Sequence, residues 1–109
     1  MIFVAAKEGK SYTPEGHDES VTSHVIYKDI IDVHTTSFPP GAGMEEEVHE
    51  DKNHVFYVLK GTMEVLQNNT LLRVLQKGDA VFIPAGEFHE IRNTQTEEMT
   101  FLAVTFKNA

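Results

Sequence analysis

Apolar residues along this chain come in short runs, and Gly, Pro, Asn or clustered charges interrupt them before any helical period has lasted three turns. The pattern predicts strands over residues 2–6, 21–27 and 30–38, the last closed by Pro39-Pro40-Gly41. A polar stretch at 7–20 holds Gly9, Pro14 and Gly16 and reads as a loop. Residues 44–49 lead into a turn at 50–53, and a strand over 54–59 stops at Lys60-Gly61. Segments 62–67 and 70–75 flank Asn68-Asn69, a dipeptide that tolerates positive φ and suits a tight hairpin turn. Further strands are predicted over 80–83, 88–93 and 99–107, separated by turns at 76–79 and at Pro84-Ala85-Gly86. Many short strands at this spacing argue an all-β sandwich or barrel, with Leu66, Phe82, Phe101, Val104 and Phe106 as the expected core.

Composition narrows the chemistry. The 109 residues fit one domain, 1–109, long enough to bury a core without covalent staples. With no cysteine, a disulfide framework, a thiolate metal site and a thiol nucleophile are all excluded, so any metal must sit on His, Asp or Glu. The formal charge of -8, with no basic cluster to offset it, argues against nucleic acid as a partner. The apolar run at 1–6 is too short for a signal peptide, and nothing approaches a membrane-spanning length. A cytoplasmic protein with no membrane partner is the expectation.

Two half-sites stand on either side of the predicted hairpin. In the second, Gly78, Pro84, Gly86, His89 and Asn93 follow the spacing G-x5-P-x-G-x2-H-x3-N. The first reads Gly41-x5-Glu47-x-His49-x4-His54-x6-Gly61. Together, at about 41–61 and 78–93, they resemble the two motifs of the cupins, whose first motif is G-x5-H-x-H-x3,4-E-x6-G. Here Glu47 stands at the first histidine position and His54 at the glutamate position, so the spacing and the total of three imidazoles and one carboxylate survive in permuted order. Counting from Gly43 instead would put the third ligand on Val55 or Phe56, which cannot bind metal.

The resemblance implies a double-stranded β-helix, or jelly-roll, barrel. It implies that Glu47, His49, His54 and His89 hold one divalent transition metal: Fe, Mn, Ni, Cu or Zn. Alternation along a strand puts Glu47 and His49 on the same side, and the turn at 50–53 returns His54 beside them. Gly61, Gly78 and Gly86 are expected at positive φ, and Asn93 is expected to serve the end of the His89 strand by hydrogen bonding. His34 is a candidate for lining the cavity from a neighbouring strand. The implied function is metal-dependent action on a small polar or anionic molecule, of dioxygenase, isomerase, lyase or decarboxylase type. The alternative is a module that binds or senses a small ligand or metal without turnover. No catalytic residue beyond the ligands stands out. The resemblance also implies a homodimer formed through the strands at 2–6 and 21–27.

Overall fold

The computed structural model describes residues 1–108 and is built almost wholly of strands, with a 3-10 turn at Ala6–Glu8. In chain order the strands are β1 (Ser11–Tyr12), β2 (Thr22–Lys28), β3 (Ile31–Phe38), β4 (Lys52–Lys60), β5 (Met63–Gln67), β6 (Thr70–Leu75), β7 (Ala80–Ile83), β8 (Glu90–Arg92) and β9 (Met99–Lys107). They pair antiparallel throughout into a six-stranded sheet, β1-β2-β3-β9-β4-β7, and a three-stranded sheet, β6-β5-β8. The architecture is the expected double-stranded β-helix barrel.

Turn chemistry explains how the chain passes between the sheets. Asn68 and Asn69 take φ of 55° and 61°, so both central residues of the β5–β6 hairpin occupy the left-handed region, as a twist-matched two-residue turn requires. Gly61, at φ 74°, lies where the chain leaves β4 for the other sheet. A Cβ there would fall 2.5 Å from the carbonyl oxygen of Glu98, so only glycine fits.

Alternation along β3, β9 and β4 divides the barrel interior into a polar end and an apolar end. In register across these strands, Asp32, Thr105 and His54 form one row, His34, Ala103 and Phe56 the next, and Thr36, Phe101 and Val58 the third. Beyond them Phe38 and Met99 pair, both fully buried, and Met63, Val65 and Ile91 close over the apolar end from the second sheet. Truncating a buried aromatic such as Phe38 to Ala is expected to cost about 3–5 kcal/mol, because the close-packed interior collapses only partly around the gap. The site therefore sits at one end of the barrel on a floor of close-packed apolar side chains.

Three expectations are corrected. Residues 2–6 are not a strand: Ile2 and Phe3 are 72% and 84% exposed, and the outermost place in the large sheet belongs to β1, which leaves the apolar segment no ladder to join. Phe82 is 55% exposed, because Val81 and Ile83 take the inward positions of β7. Val104 and Phe106 are only half-buried for the same reason of parity, since Phe101, Ala103 and Thr105 face inward. Leu66 and Phe101 are core as expected. Among the described residues, no helix is long and apolar enough to cross a membrane.

Candidate metal centre

The backbone brings the two half-sites together before any side chain does. Glu47 and His89 form an isolated antiparallel bridge in which each amide donates to the other's carbonyl at 2.9 Å. The amide of Gly86 donates to the carbonyl of His49 at 2.9 Å, and that of Ala85 to the buried Asn53 side chain at 2.9 Å. Gly86 takes φ 84° within the turn from Pro84 to Glu87, where the third residue needs a positive φ. Asn93 is fully buried and anchors the far end of this segment, its side-chain amide donating to the carbonyls of Phe38 at 2.9 Å and Glu97 at 2.8 Å. That is the hydrogen-bonding role its spacing suggested.

The four sequence-predicted residues converge. Glu47 Oε1 lies 3.3 Å from both His49 Nε2 and His89 Nε2. One ligand nitrogen from each of His49, His54 and His89 lies within 4.8 Å of the others. Ring centroids are 4.8 Å apart for His49–His54, 5.6 Å for His54–His89 and 6.0 Å for His49–His89. His54 and His89 are buried, whereas Glu47 and His49 are half-buried.

Hydrogen bonding shows that the donor set fits a cation. His89 Nδ1 stands 3.2 Å from the carbonyl of Glu87, which can only accept, and Nε2 stands 3.3 Å from Glu47 Oε1. Between that nitrogen and the carboxylate oxygen belongs either a proton, donated as a hydrogen bond, or a metal ion. His54 Nδ1 bonds Thr105 Oγ1 at 2.8 Å, while its buried Nε2 has no partner among the described residues. Burial, reinforced by the neighbouring His49 and His89, pushes the His54 imidazole down to about 4, so it presents a free lone pair at neutral pH. Burial alone would raise the Glu47 carboxyl, but the hydrogen bond to His89 and the charges of His49, His89 and His17 outweigh it and hold it below its ordinary value. An ionised carboxylate and three imidazoles are a donor set suited to a divalent transition metal.

Beside the cluster opens a cavity of about 460 Å³ whose wall includes Asp32, His34, Thr36, Phe56, Phe101 and Thr105. His34 lines it, as its strand position suggested, and burial holds its imidazole below the ordinary value. Asp32 and Thr105 were not singled out by the motifs. Thr105 owes its role to ladder register with His54, and Asp32 to its place two residues before His34 on the same face of β3. Among the acidic neighbours of Glu47, Glu46 turns away to accept from the amide of Asn68, and Glu45 is exposed at the rim.

Known proteins share this fold. An oxalate-binding protein of Thermotoga maritima is 30% identical over 94 residues, covering 82% of this chain and 77% of the relative. The crystal structure of a predicted oxalate decarboxylase from Thermotoga maritima superposes with a TM-score of 0.82 at 22% identity, over 98% of this chain and 100% of that one. The polyketide cyclase RemF of Streptomyces resistomycificus superposes at 0.81 with 22% identity, over 100% of this chain and 82% of its own. At these identities the two structural likenesses concern the fold. The cupin domain model matches residues 34–105, a span that holds all four converging side chains, and the chain belongs to the cupin family.

Proposed function

We propose that this chain holds one divalent transition metal on Glu47, His49, His54 and His89, and that a small polar or anionic molecule reaches the metal through the adjoining cavity. The observation that carries this reading is the meeting of Glu47 Oε1 with two imidazole nitrogens beside the unpartnered, buried Nε2 of His54. A bound metal would supply Lewis acidity toward an oxygen of the ligand. The chain's own residues do the positioning. The Glu87 carbonyl fixes the His89 tautomer, Thr105 orients His54, and Phe56 and Phe101 supply an apolar floor that limits water. Cupin barrels carry dioxygenases, isomerases, lyases and decarboxylases alike, so the lining of the cavity sets the reaction more than the fold does.

A second reading, a module that binds its ligand without turnover, is supported by two observations. Among the described residues the hydroxyl–imidazole pair in the cavity wall, Thr105 with His54, is engaged in orienting a candidate metal ligand, and the relative from Thermotoga maritima is named for binding. The first reading requires metal. Elemental analysis of the isolated protein, with identification of whatever co-purifies, tests that requirement, and less than a tenth of an equivalent of transition metal after loading and dialysis would refute it. Turnover against a panel that includes oxalate then separates the enzyme from the binding module.

A further inference from the structure

The cavity beside the metal cluster has a strong charge bias. Among the described residues, five carboxylates line it, Glu15, Asp32, Glu45, Glu46 and Glu47, against one ammonium, Lys52. A divalent ion would offset two of these charges and Lys52 a third, leaving the lining acidic. A cavity of about 460 Å³ is about as wide as the Debye length of about 8–10 Å at moderate salt, and a cleft of one sign with low-dielectric walls concentrates its field. Asp32 stands in ladder register with His54 through Thr105, two strand spacings or about 10 Å across the sheet, with His34 in the next row. An ionised carboxylate only accepts hydrogen bonds, so this far wall calls for donors on whatever fills the cavity.

We propose that the ligand is a small neutral or cationic molecule bearing hydroxyl or amine donors, bound at one end by the metal and at the other by Asp32 and His34, and that the cavity discriminates against dianions such as oxalate. This rests on the metal-site reading above and narrows its polar-or-anionic class to the uncharged and cationic part. It separates this chain from what the name of its oxalate-binding relative would suggest. Glu45 and Glu15 act from the rim, Asp32 from the wall, and Glu46 contributes least because its carboxylate is engaged by the amide of Asn68.

The test uses metal-loaded protein and three probes of one skeleton and graded charge: oxalate, oxamate and neutral oxamide. In Glu15→Gln/Asp32→Asn/Glu45→Gln, calorimetry should show oxalate binding strengthened by about tenfold or more, oxamate by less, and oxamide weakened because Asp32 no longer accepts from its amide donors, with metal content equal to wild type. Raising salt should strengthen oxalate binding to the wild type and leave the variant nearly flat. Oxalate affinity that is unchanged or weakened in the variant overturns the proposal. If the triple variant does not fold, Glu15→Gln/Glu45→Gln, which changes two exposed residues, takes its place with a smaller expected gain of the same sign. Should no metal be taken up, the metal-site reading fails on its own. Nitroxide cosolutes of opposite charge then decide the charge reading in metal-free protein: the cationic probe should relax the amides of β3 more than the anionic one, and an equal or reversed effect overturns it.

Discussion

The two halves of the imidazole–carboxylate cluster are held in different ways. His54 and His89 are 7% and 3% exposed, seated in or beside strands of the two opposing sheets, and each has one ring nitrogen engaged by a neighbour. Glu47 and His49 are half-exposed on an irregular segment tied down by a few main-chain bonds. The inner pair is fixed by ladder register and packing. The outer pair is fixed in position but has room to turn. A metal held here would have its affinity anchored on the inside and its ligand access on the outside.

The sharpest break of that contrast is His89→Ala. It should lower metal affinity by on the order of 100-fold or more while the barrel stays folded, because its turn geometry belongs to Pro84 and Gly86. Equal metal content in His89→Ala and wild type after matched dialysis would show that the inner pair does not ligate.

Glu47→Ala should cost less, about tenfold or more, since it removes the only oxygen donor from the adjustable half. Exchanging Glu47→His with His54→Glu restores the ordinary family order and should bind metal better than the two single losses combined allow, a coupling that a double-mutant cycle isolates. Strictly additive losses would mean that the two positions are not halves of one site.

Thr105→Val probes the inner half without touching a ligand. Loss of the 2.8 Å bond to His54 Nδ1 should lower metal affinity by about tenfold, and Thr105→Ser should recover most of it. Indistinguishable metal titrations for Val and Ser variants would remove Thr105 from the site.

The metal-free protein should also be acid-sensitive through the inner half. Unfolding returns His54 from about 4 to its ordinary 6.5, so between those values the unfolded chain binds a proton that the native chain refuses, and stability falls as pH drops. Glu47, held below its ordinary 4.5, works in the same direction at lower pH: its contribution is present above 4.5 and is lost as pH falls through the depressed native value. Thermal melts in chelator should show Tm dropping by several degrees from pH 6.5 to about 4, and His54→Leu should flatten that slope. A slope unaffected by the substitution would assign the sensitivity elsewhere. The smallest effect belongs to the exposed rim. Glu45→Ala should change stability by no more than about 0.5 kcal/mol, and a larger loss on denaturant unfolding would mean that Glu45 has a structural role.

Where local chemistry decides the structure, the sequence was readable. The bounds of β7 and β9 match the predicted runs at 80–83 and 99–107, and Asn68-Asn69 forms the predicted turn. The four candidate ligands meet because their spacing is tied to turns at Pro84–Gly86 and at Glu50-Asp51, the latter shorter than the predicted 50–53 because β4 already begins at Lys52. What was not readable depends on partners distant in sequence. Residues 2–6 have strand composition but no ladder to pair with, and Phe82 is hydrophobic but sits on the outward parity of a four-residue strand. Thr105 and Asp32 acquire their places through β3–β9–β4 register, which no motif within either strand announces.

The reciprocal main-chain bonds between Glu47 and His89 bear on how such a centre changes over generations. Position 47 is held by its peptide group, whatever side chain it carries, and position 89 likewise. A substitution at either place therefore alters the donor atom without displacing the Cα that presents it. The same property makes position 47 a point at which nitrogen or oxygen can be offered at a fixed place, one residue at a time.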